Sequence, residues 1–230
     1  MKGAFTMKFY KNNPIRFWSI ISGLSLLIMA IAAGYAYGFS FNQIYVENNN
    51  LQTLTNIQLN STLFYSGAIV WCIILITDII VSYGFYRYLK PTHKIIAIIS
   101  GSLRLIYSIF LAIAISYLFG KNAEMFLKIW SLGLFIFGFH LTITGIGVFL
   151  TIETPKLFGL LLIIAGLGYS LVQGIVTFIP QATIYTTSLE GILTLPMTVG
   201  ELSFAVWLLG KGGRKNTQLL ESQTLLDSAQ

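Results

Sequence analysis

The chain has 230 residues, of which 55% are hydrophobic and 10% charged, with a net charge of +6. Soluble domains carry roughly 25% charged residues, so composition excludes an ordinary water-soluble fold. The charge does not point to nucleic acid either, because of where the basic residues fall.

Six apolar blocks follow one another at 16–39, 62–89, 95–119, 126–152, 157–179 and 190–210. Each suits the length of about 20 residues that a helix needs to cross a bilayer core. Outer-membrane barrel strands alternate and are about ten residues long, so the expected fold is all-α. It is a bundle of six transmembrane helices at 16–210, between a segment at 1–15 and a polar tail at 211–230. With the N-terminus in the cytoplasm, eleven basic residues fall inside: Lys2, Lys8, Lys11, Arg16, Arg87, Lys90, Lys94, Lys156, Lys211, Arg214 and Lys215. Only Lys121 and Lys128 fall outside. The positive-inside rule then places both termini in the cytoplasm of a bacterial inner-membrane protein, with no nucleic-acid partner.

Between the first two blocks lies an Asn-rich external loop, 40–61, which either holds a short surface helix or stays mobile. The turns at 90–94 and 153–156 are short, so the helices they join are antiparallel neighbours. IISG, IISG and IIAG recur at 20–23, 98–101 and 163–166, a pattern compatible with three in–out–in hairpins. Pro196 is expected to kink the sixth helix.

Arg104 lies deep inside the third block. At about 1.5 Å per residue, Asp78, Arg104, His140 and Glu201 lie about 14–18 Å from the cytoplasmic ends of their helices, and Tyr169 and Gln173 about 20–25 Å. Each continues a stripe of small or hydroxylated residues at helical spacing. Ser100, Gly101, Tyr107 and Ser108 flank Arg104; Gly133 and Thr144 flank His140; Thr194 and Thr198 flank Glu201. Such stripes mark helix–helix contacts rather than lipid-facing surface. An unpaired charge at this depth costs at least about 3 kcal/mol, so Arg104 is expected to serve both Asp78 and Glu201. Two carboxylates to one guanidinium leave a charge over, which a proton on His140 or on one carboxylate balances.

The chemistry excludes much. There is no HExxH, no phosphate-binding glycine loop, no nucleophile elbow and no second intramembrane histidine for a bis-histidine haem. No cofactor and no catalytic residue are expected. The cluster Asp78, Arg104, Tyr107, His140, Tyr169, Gln173 and Glu201 is read as a site for a small anionic or amphipathic ligand or a proton. The alternative is an ion-pair network that only holds the bundle. Asp78, His140 and Glu201 are weak metal candidates, the basis of a third reading as a membrane-embedded hydrolase.

Five stretches in order carry a resemblance: TDIIVSYGFYRYLKPTHK (77–94), SGSLRLIYS (100–108), FGFHLTITGIGVFL (137–150), LFGLLLIIAGLGYSL (157–171) and LPMTVGELSFAVWLLGKG (195–212). Together they resemble bacterial membrane proteins of domain-of-unknown-function family 4386. The resemblance implies that Asp78, Arg104, His140, Tyr169 and Glu201 belong to one family pattern. It implies no activity.

Overall fold

The computed structural model describes residues 14–179, 181 and 186–214, except the side chains of 187, 188, 190, 191 and 194–197. All regular structure among them is helical. The first helix, α1, runs Pro14–Ile44 and includes a π-helical stretch, Gly34–Phe41. It is followed by α2 (Asn50–Leu59), α3 (Ser61–Leu89), α4 (Lys94–Phe119), α5 (Ala123–Leu150), α6 (Lys156–Phe178) and α7 (Thr186–Gly210). Five of these, α1 and α3–α6, are long and apolar enough to cross a membrane. In α7 the fully described apolar stretch is Thr198–Gly210. The expected kink falls on Pro196, whose side chain lies outside the described residues.

One expectation changes at the Asn-rich loop and one open choice is resolved. Residues 40–44 continue α1 rather than leave it, because backbone hydrogen bonding persists past the last apolar block. The remainder holds α2, whose N-terminus is capped by the Asn49 side chain accepting from the Gln52 amide at 3.0 Å.

The six long helices form a ring. Each packs against the long helix before and after it, and α7 closes on α1. Short turns explain the order, since antiparallel neighbours need little chain between them. Arg87, Lys90, Lys94, Lys156, Lys211, Arg214 and Arg16 gather at one end of the ring, the basic end. The other is the Asn-rich end. Arg16 locks the closure: its Nη1 donates to the carbonyls of Leu208 (3.0 Å) and Gly212 (2.9 Å), and its Nη2 to Leu209 (2.6 Å). These are the carbonyls that a helix end leaves unbonded, and a cation there complements the helix dipole.

Helices α5 and α6 meet backbone to backbone. A Cβ added at Gly166 would lie 2.5 Å from the Gly138 carbonyl oxygen, and one at Gly145 would lie 2.7 Å from that of Gly159. Association within a bilayer relies on such close packing. Gly166→Ala is therefore expected to destabilise the protein by about 1–3 kcal/mol through overpacking, read as a lower unfolding midpoint in detergent. Gly34→Ala, where a Cβ meets nothing within 4 Å, sets the baseline.

Candidate functional site

Asp78 on α3, Arg104 on α4 and His140 on α5 are all fully buried. Each lies about 15 Å from the basic end of its helix at 1.5 Å per residue. Arg104 Nη2 lies 2.5 Å from Asp78 Oδ1. Its Nη1 is 3.1 Å from His140 Nε2, and Nη2 also reaches the Met29 sulfur of α1 at 3.7 Å. A side chain of α4 that touches α1, α3 and α5 does so through the interior of the ring, so the pair sits on the bundle axis. The guanidinium lies beside the rings of Phe137 (5.1 Å) and Phe85 (5.7 Å), which take the place of water around a cation.

The histidine is locked from both sides. His140 Nδ1 is 2.9 Å from the Ser100 carbonyl oxygen and must donate to it. Nε2 faces a guanidinium, which can only donate, so Nε2 accepts. This tautomer is the neutral imidazole. Of the two balances open in the sequence, the proton on His140 does not fit the contacts. Ser100 and Thr144 complete the clamp: their hydroxyls lie 2.6 Å apart, and Thr144 donates to the His140 carbonyl at 2.8 Å.

The stripes around Arg104 and His140 are buried as expected, with Ser100, Gly101, Tyr107 and Ser108 inside, and Gly133 and Thr144 likewise. On α7 Thr198 is exposed, and the side chain of Thr194 lies outside the described residues. Glu201 also departs from expectation. It forms no ion pair with Arg104 among the described residues and lies beside Tyr169 across the α6–α7 contact, within electrostatic reach of the guanidinium. Arg104 thus serves one carboxylate rather than two: Asp78 and His140 take its Nη atoms and the two rings lie beside it. Gln173 stands apart nearer the Asn-rich end, accepting at 2.7 Å from the Ser131 hydroxyl, which also lies 3.1 Å from that of Thr177. Tyr107 packs its ring on Phe137 at 4.9 Å.

The seven predicted residues therefore divide into a closed core (Asp78, Arg104, His140), a neighbouring pair (Tyr169, Glu201), a satellite (Gln173) and a packing residue (Tyr107). Asp78, His140 and Glu201 do not gather as a metal-binding group among the described residues. Both imidazole nitrogens are already engaged, so His140 has no lone pair to give a metal. Met29, Phe85 and Phe137 were not legible as site residues, because a methionine or phenylalanine in an apolar run carries no signal of its own.

Two polar atoms of the core remain unused. Asp78 Oδ2 accepts no hydrogen bond and Arg104 Nε donates none. One acceptor and one donor are thus available on an ion pair that is already neutral.

An archaeal protein of Archaeoglobus fulgidus named "Uncharacterized protein" is 30% identical over 150 residues, covering 65% of this chain and 85% of its own length. No solved structure matches the chain. Residues 21–123 and 121–212 match the family described as "Domain of unknown function (DUF4386)". These two stretches together span most of the chain, which belongs to that family: DUF4386, a domain of unknown function.

Proposed function

We propose that the protein crosses the cytoplasmic membrane of its cell six times and binds a small, uncharged polar molecule at the buried Asp78–Arg104 pair. In this reading α7 is the sixth crossing, and the basic end and both termini face the cytoplasm, as the distribution of Lys and Arg favours. The observation that carries the binding site is the unused pair Asp78 Oδ2 and Arg104 Nε at zero exposure. Buried polar groups left without partners cost about 1–3 kcal/mol each, and a molecule offering one donor and one acceptor recovers that cost. The chemistry narrows the ligand from the small anionic or amphipathic molecule or proton expected from the sequence. Asp78 already neutralises Arg104, so an anion would have to displace it. A cation would meet the guanidinium. Binding, and not catalysis, is the activity proposed.

The test is native mass spectrometry of gently extracted protein. Wild type is expected to carry a bound small molecule that the charge-neutral double variant Asp78→Leu/Arg104→Leu has lost. A ligand-free mass in both, with both folded, would leave the pair as a device that fixes helix packing.

A further inference from the structure

The two ends of the ring differ. At the Asn-rich end, aromatic rings fill the interior. Trp71 lies 5.1 Å from Phe126 and 4.9 Å from Trp130, and Tyr37 lies 4.9 Å from Trp130. The cavity beside Trp71 measures about 10 Å³, room for about one water. At the basic end a recess of about 520 Å³ opens, bordered by Ile15, Tyr88, His93, Leu150, Glu153 and Gly213. These residues belong to α1, to α3 and the turn after it, to α5 and its turn, and to the chain following α7. Elements that are not neighbours in the ring border one space only where that space lies over the axis.

The recess points at the buried pair. Tyr88 forms part of its wall, with its hydroxyl tied to Thr154 at 2.6 Å. The Tyr88 ring meets Phe204 at 6.3 Å, and Phe204 meets Phe85 at 5.8 Å. Phe85 in turn stacks on His140 at 5.9 Å and faces the Arg104 guanidinium. Three rings therefore separate the recess from the charged core. The recess itself offers the His93 imidazole, the Glu153 carboxylate and the Thr92 and Thr151 hydroxyls, donors and acceptors that hold an uncharged polar molecule while it is still hydrated.

We propose that the recess is the vestibule of the buried site, that Tyr88, Phe204 and Phe85 are its gate, and that ligand enters from the basic end alone. The proposal rests on the reading of the core as a ligand site but is tested separately from it. Aromatic side chains gate well, because a rotamer change opens a gap without breaking a charge pair.

The experiment uses the full chain in sealed vesicles. Cys72 is the sole cysteine, so Cys72→Ser supplies the background. Ser100→Cys places a thiol behind the gate, against His140. Thr151→Cys marks the rim of the recess and Asn50→Cys the opposite end. A membrane-impermeant methanethiosulfonate is applied to each face in turn. The expected result is modification of Ser100→Cys from the face that labels Thr151→Cys, about tenfold faster than from the face that labels Asn50→Cys. Phe204→Ala should raise that rate by about tenfold again, because the reaction is limited by local opening. Equal rates from both faces, faster reaction from the Asn50 side, or indifference to Phe204→Ala would overturn the vestibule. If Ser100→Cys does not fold, Thr144→Cys replaces it. Asymmetric access without a bound mass would sink the ligand and keep the route, while a bound mass with symmetric access would do the reverse.

Discussion

Arg104→Leu is expected to lower stability by about 3–5 kcal/mol, the usual cost of stripping one partner from a buried ion pair. It leaves the Asp78 carboxylate fully buried with no cation within reach, and it strands His140 Nε2. Adding Asp78→Leu should recover most of the loss, because two leucines bring no charge to hide. Steric-trap or denaturant unfolding in detergent measures both variants. A double variant as unstable as the single one would show that packing on Phe85 and Phe137, not charge, dominates the site.

His140→Lys is expected to be the most disruptive change at the third member of the core. An ammonium would face the Arg104 guanidinium at the position of Nε2, now 3.1 Å from Nη1, with Asp78 as the one carboxylate paired there. A like-charge pair in a low-dielectric interior has no favourable geometry. We expect loss of folded protein on size-exclusion chromatography. His140→Gln should cost only about 1 kcal/mol, since its amide oxygen can accept from Arg104 and its nitrogen can donate to Ser100. Similar yields for the Lys and Gln variants would contradict the neutral, accepting imidazole derived above. ¹⁵N spectra of the wild type offer a direct check, with a protonated Nδ1 and a bare Nε2 expected.

The bundle was legible because apolar blocks and basic flanks are long-range signals that any membrane helix must carry. Its edges were less so. Asn42 and Gln43 look like loop residues, yet α1 carries them on its last turn, because a helix end outside an apolar run is free to be polar. The midplane core was legible from depth alone. Asp78, Arg104 and His140 stand at matching distances from one end, and their small-residue stripes are buried together. Partner choice was not legible, for depth gives height and not azimuth. Glu201 stands at the right height but makes no ion pair with Arg104 and lies beside Tyr169. The rings of Phe85 and Phe137 were invisible because their role depends on which face of an all-apolar helix they occupy.

The order in which the ring is built bears on synthesis. Asp78 and Arg104 lie on consecutive helices joined only by residues 90–93. A ribosome delivers them within one hairpin, so the carboxylate and guanidinium can enter lipid as a neutral pair, before His140 or any later helix exists. The Arg16 clamp is the opposite case. Its acceptors, Leu208, Leu209 and Gly212, are nearly the last described residues to be made. That closure becomes available only once α7 has been made. A stalled chain lacking α7 would expose an unclosed seam between α1 and α6, which membrane quality control could recognise.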